Sequence, residues 1–165
     1  TMLIGGSETS EALTGNLVYM LAQHPELQAC VRNNTLRMKD VLRETMRFES
    51  PLQMGRRKVV APVQFLGREL KAGDNILVCL GSANRDESVF EEAWRFIPGR
   101  KNAQRQLGFG AGVHQCIGQL LAQCQAETLA MALCERGTLS LDGEAKWSTR
   151  SLILRTLETL PVKIT

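Results

Sequence analysis

No apolar run in this chain approaches the roughly 20 residues that span a bilayer, so no membrane-crossing helix is expected. C-x-x-C spacing is absent, and the five cysteines (Cys30, Cys79, Cys116, Cys124 and Cys134) are an odd number. Neither a disulfide framework nor a zinc site is indicated, and a reducing, cytoplasmic setting is expected. The chain also lacks a strong balance of one charge. Its net charge of +3 is too weak to argue for a nucleic-acid partner. Internal repeats and low-complexity tracts are missing. No signal peptide opens the chain, but its first residues read as the middle of a helix, so that absence excludes little.

What is present is a composition of 44% hydrophobic and 22% charged residues over 165 positions. That suits one globular unit, residues 1–165, with a sizeable core. Helical spacing runs over residues 1–22, with Leu13, Leu17, Met20 and Leu21 on one stripe. His24-Pro25 interrupts it, because proline disfavours helix in the residue before it and opens a new helix well. A short helix over 25–32 is expected, then a longer one over 38–48 packing Val41, Leu42, Thr45 and Met46, stopped by Ser50-Pro51. Residues 56–80 change to short strands at 58–60, 63–66 and 75–80, with the clearest turn at Lys71-Ala72-Gly73-Asp74. Residues 87–106 read as ordered irregular chain. Ile117, Leu120, Leu121, Cys124, Thr128 and Met131 trace one face of a helix ending near Gly137, and the tail returns to strands at 151–154 and 161–164.

The densest chemistry lies in Phe109-Gly110-Ala111-Gly112-Val113-His114-Gln115-Cys116-Ile117-Gly118. Gly110 and Gly112 permit backbone angles closed to other residues and leave room for a flat object beside the main chain. Cys116 falls where this loop meets a helical pattern. The unpaired N–H groups of a first helical turn favour a thiolate there, and a thiolate on such a loop is a good axial ligand for haem iron. An isolated cysteine beside a glycine turn is more often inert, but here every position of F-G-x-G-x-H-x-C-x-G is filled. Gly5-Gly6-Ser7-Glu8-Thr9-Ser10 is the second cluster. Each glycine inside a helix costs about 1 kcal/mol relative to alanine. Two together indicate either a loosened helix with a small molecule against it, or a helix N-terminus capped by Ser7 or Thr9.

The glycine-cysteine motif resembles the cysteine-ligand loop of the cytochrome P-450 family, and motif order and spacing match along the whole chain. The resemblance implies an α+β, mainly α, fold: the C-terminal half of that architecture, with an oxygen-groove helix, an E-x-x-R helix, a small β-sheet, the cysteine loop and the helix after it. It implies haem b with Cys116 as the iron ligand. It implies Glu8 and Thr9 as the acid–alcohol pair that feeds protons to dioxygen, with Ser7 and Ser10 as neighbouring hydroxyls. Arg57 aligns with a propionate partner, with Arg56 next door as a rival, and His114 aligns with a second. Phe109, Gly110, Gly112 and Gly118 complete the haem contact. Glu44 and Arg47, with Arg100 as their third member, and Asn84-Arg85-Asp86 are read as structural. Lys101, Arg105 and Arg100 form a basic cluster where, in the family, an acidic, ferredoxin-like electron donor docks; ordinary surface charge explains each singly as well.

The implied activity is monooxygenation of a small organic substrate. Two alternatives stand beside it. The chain is a haem-binding half that needs a separate N-terminal partner, or a haem-free remnant acting as an interaction module. The first half of the fold, which carries a further propionate contact and most of the substrate pocket, lies outside the resemblance. Self-association through the uncovered face, or pairing with that missing half, is expected.

Overall fold

The computed structural model describes residues 5–165; residues 1–4 of the helix expected over 1–22 lie outside it. Gly5 and Gly6 are helical, Ser7 bends the chain at φ −94°, ψ −74°, and helix α1 begins at Glu8 (Glu8–Gln23). The break falls where two glycines and a serine leave the backbone least constrained. Helix α2 (Pro25–Arg32) opens on the expected proline, and α3 (Met38–Phe48) keeps its expected bounds. Both follow from punctuation that acts through backbone sterics: proline begins one helix, and Ser50-Pro51 forbids continuation of the other.

The strands sit differently from expectation. Strand β1 is Met54–Lys58, four residues earlier than the valine pair suggested, and it pairs antiparallel with β4 (Asn75–Cys79). Val59 packs inward beyond the strand and Val60 is exposed. The hairpin of β2 (Val63–Phe65) and β3 (Arg68–Leu70) turns through Leu66 and Gly67, both at positive φ. Lys71 to Asp74 forms the expected turn, closed by Lys71 N–H donating to the Asp74 carboxylate at 2.8 Å. A short helix, α4 (Leu80–Ala83), follows β4, where strand alone was expected. Residues 87–106 are irregular throughout, apart from a 3-10 turn at Ala103–Arg105. The expected strand over 151–154 is reduced to one bridge, Leu52 with Leu154. The tail instead forms two ribbons, β5 (Leu139–Leu141) with β8 (Val162–Ile164) and β6 (Lys146–Trp147) with β7 (Leu157–Thr159).

The core is built by α1, α3 and the long helix α5 (Gln119–Arg136). Leu13, Leu17 and Leu21 meet Val41, Leu42 and Met46, with Ala126, Ala130 and Cys134 closing the third side. The face of α5 differs from the expected one. Its buried stripe is small residues at a spacing of four, which lets three helices approach closely. Leu120, Leu121, Cys124 and Thr128 are exposed, Ile117 stands free just before the helix, and Met131 packs partly against the core. Among the described residues no helix is long and apolar enough to cross a membrane.

Candidate functional site

A buried ion cluster anchors the site from below. Glu44 and Arg47, three apart on α3, form a bidentate pair at 2.7 and 2.9 Å, both fully buried. Arg100 Nε donates to the same Glu44 carboxylate at 2.9 Å. The Ile97 N–H adds a fourth donor to it at 2.8 Å. Arg47 spends its remaining donors on the carbonyls of Asn84, Ala93 and Arg95 at 2.8–2.9 Å. Two guanidiniums thus share one carboxylate, and every charged group in the cluster is hydrogen-bonded, the remaining guanidinium donors going to backbone carbonyls. The three residues grouped by the resemblance are joined in one buried cluster. It also removes Arg100 from the basic surface: its side chain is 7% exposed and committed to Glu44, so only Lys101 and Arg105 of that trio face solvent.

Above the cluster lies the cysteine loop. Leu107 donates its N–H to Asn84 Oδ1 at 2.7 Å, Gly110 to Leu107 O at 2.8 Å, and Cys116 to Phe109 O at 2.9 Å. Gly110 and Gly112 sit at φ +71° and +69°, which explains both glycines. Gly108 is required for space: a Cβ there would lie 2.6 Å from the Met46 side chain and 2.8 Å from Ser50 Oγ. No local sequence signal pointed to Gly108, because the constraint comes from α3, far away in the chain. Cys116 is exposed and precedes the α5 N-cap, Gly118, by two residues. Its Sγ lies beside that glycine, 3.8 Å from where a Cβ would stand. The sulfur therefore sits near the helix end whose amides carry partial positive charge.

Cys116 opens onto a cavity of about 790 Å³. Its walls bring together Gly5, Gly6, Thr9 and Ser10 from the bent helix, Arg57 from β1, and Phe109, Gly110, His114 and Gly118 from the loop. Of the expected site residues, Glu8 and Gly112 are not in the wall; Glu8 is exposed at the helix edge. Leu13, Met46, Leu52, Leu121 and Gln125 line it unforeseen. Thr9 Oγ1 donates to Gly5 O at 2.7 Å, a contact that bends helices and spans the break at Ser7. Strand alternation separates the two candidate arginines. Arg57 shares a face of the β1–β4 ribbon with Gly55 and Val78, which line the cavity, whereas Arg56 Nε is taken by Asn75 Oδ1 at 2.9 Å. Both touch the cavity, and neither has a carboxylate partner among the described residues; Arg57 Nη1 donates to Arg56 O at 2.9 Å.

The donor set fits a haem. The volume lies within the 300–1,000 Å³ of small-molecule sites. The Cys116 sulfur stands at one side, glycines leave the loop backbone open, and Arg57 and His114 could offer cation and donor to carboxylate side chains. No aspartate or glutamate is among the wall residues.

Such a loop on such a helix frame defines a haem-thiolate class of protein. The family model described as cytochrome P-450 matches residues 1–162, and the chain belongs to that family. It is 33% identical over 166 residues to a cytochrome P-450 of Rhodopseudomonas palustris, covering 100% of this chain and 40% of that protein. It is 35% identical over 167 residues to the cytochrome P-450 monooxygenase PikC of Streptomyces venezuelae, covering 98% and 40%. The solved cytochrome P-450 of Chondromyces apiculatus superposes with a TM-score of 0.92 at 35% identity, over 100% of this chain and 43% of that one. The chain thus spans about 40% of the length of the curated relatives it matches. Members of the family bind haem b through a cysteine thiolate.

Proposed function

We propose that this chain is the thiolate-bearing, C-terminal portion of a haem-thiolate monooxygenase acting on a small organic substrate. The observation that carries the reading is the convergence of Cys116, Thr9 and Arg57 on one cavity from three separate elements. Cys116 holds the iron, Arg57 and His114 seat the carboxylates of the macrocycle, and Phe109 packs beside the sulfur. Haem, when bound, would supply dioxygen activation: with two electrons from a donor and two protons, one oxygen atom would enter the substrate and the other would leave as water. Thr9 supplies a hydroxyl at the helix break. Glu8, exposed at the helix edge, is the acid of that acid–alcohol pair. Lys101 and Arg105 offer an acidic, ferredoxin-like electron donor a weak complementary surface, which acts mainly on encounter rate. The five cysteines are all unpaired, which suits a reducing cytoplasm.

A second reading is favoured by the exposed apolar residues beside the site. Ile117, Leu120 and Leu121 are 105, 80 and 64% exposed. A chain with this face uncovered acts as a half that pairs with a separate polypeptide. Titration with haem and reduction under carbon monoxide tests the primary reading. A long-wavelength Soret band that Cys116→Ser removes is expected. A band that survives that change, or that Cys124→Ser removes instead, would reassign the ligand.

A further inference from the structure

Taken as a unit, residues 107–116 have few outward hydrogen bonds: at their far end Gln119 N–H, the first of α5, donates to Cys116 O at 3.4 Å. Gly110, Gln115 and Cys116 donate their N–H groups within the segment, and Gly108 donates to Gln106 beside it. The Gln115 side chain reaches only Gln119. Among the described residues one hydrogen bond leaves the segment for a distant element: Leu107 N–H to Asn84 Oδ1 at 2.7 Å.

Asn84 is fully buried and held on both sides of its own peptide. Its N–H donates to Leu80 O at 2.9 Å, and its C=O accepts from Arg47 Nη1 at 2.9 Å. The residue therefore sits between the Glu44–Arg47–Arg100 cluster and the first amide of the cysteine loop. Leu107 in turn receives the Gly110 N–H, and Phe109 receives the Cys116 N–H, so the linkage runs from buried charge to sulfur-bearing residue by way of one side chain. The side chain's Nδ2 has no partner among the described residues. The working atom is Oδ1.

We infer that Asn84 is a positioning residue for Cys116: its carboxamide oxygen fixes the loop on the ion cluster and so sets where the sulfur stands. The consequence for ligation rests on the haem-thiolate reading; the mechanical consequence does not. Removing Oδ1 leaves the half-buried Leu107 N–H unpaired and frees the one long-range tie of the segment.

Hydrogen exchange and spectroscopy on Asn84→Ala and Asn84→Asp test this, since Asp retains an acceptor at the same place. In Asn84→Ala, exchange of the amides over 107–116 should rise on the order of tenfold, while the amides of α1, α3 and the core half of α5 change little. Asn84→Asp should exchange like the wild type. With haem bound and reduced under carbon monoxide, Asn84→Ala should move part of the Soret intensity from the thiolate position to shorter wavelength, and Asn84→Asp should not. A uniform rise across all helices, an unchanged segment 107–116, or an Asp variant as loose as the Ala variant would each overturn the assignment. If Asn84→Ala does not fold, Asn84→Asp decides alone, because faster exchange at 107–116 in that variant contradicts a role for Oδ1. A wild type without a thiolate band would defeat the haem reading and leave the exchange comparison standing.

Discussion

Thr9 shows how much one hydroxyl depends on the residues before it. Two glycines make the helix yield at Ser7, and the hydroxyl then reaches back to the Gly5 carbonyl across the break. The sequence Gly5-Gly6-Ser7-Glu8-Thr9 could equally have started a helix, since serine, threonine and glycine serve at both places. Helical residues on either side of Ser7 decide for an interruption. The interrupted turn lines the cavity, and the proposed monooxygenase reading gives Thr9 the task of passing protons there. In a haem-loaded, complete assembly, Thr9→Ala should keep the cofactor and reductant consumption but lower product per reductant, the difference appearing as peroxide. Thr9→Ser should restore most of the yield. Full product yield in Thr9→Ala would move the task to Ser10 or to water. Glu44 and Arg47 mark the other limit of legibility. A pair three apart is commonplace on any helix face, and only the resemblance marked it as structural; fully buried and shared with Arg100, it costs roughly 3–5 kcal/mol to break.

Helices with sharp ends were the legible elements. Proline at the start of α2 and Ser50-Pro51 after α3 act through local sterics and need no tertiary information. Strand β1 and the packed face of α5 were not legible, for different reasons. Arg56 and Arg57 do not resemble strand residues in isolation; they become strand by pairing with Leu77 and Ile76. In α5 the larger apolar side chains drew attention to the wrong face, while alanines set the closest helix contact. That close contact carries a pH signature. Burial pushes the Cys134 thiol above its ordinary value, with Arg32 opposing and Glu135 adding to the rise. The native state therefore keeps a proton that the unfolded chain releases above about pH 8.5. Stability present below that pH should fall as pH rises through the native value. Denaturant midpoints of wild type and Cys134→Ala, measured from pH 7 to 10, should converge with rising pH. Parallel curves would mean that the thiol is not held neutral by α5 packing.

At the scale of the molecule, the apolar surface is unevenly covered. Leu139 and Leu141 of β5 and Phe96 of the irregular segment cover part of the helical core, whereas the side bearing the cavity is open. Ile117, Leu120 and Leu121 stand beside that opening, and Gly5, Gly6 and Thr9 border it from the opposite helix. Soluble monomers rarely expose contiguous apolar patches beyond a few hundred Å². A haem would cover the cavity wall but not the outward-facing Ile117 and Leu120. The relatives matched here are longer, this chain spanning about 40% of them, so their additional length is available to cover such a face. Prepared as the 165-residue chain alone, the protein should self-associate through this side. Sedimentation velocity across a hundredfold dilution, a range that shifts a single-step association by about 2.7 kcal/mol, should show the larger species dissociating. Leu120→Glu with Ile117→Ser should abolish association without lowering the unfolding midpoint, because neither side chain belongs to the α1–α3–α5 core. Added haem should weaken association only in part. A monomer at every concentration, with no binding of an apolar dye, would show that the chain closes this face by itself.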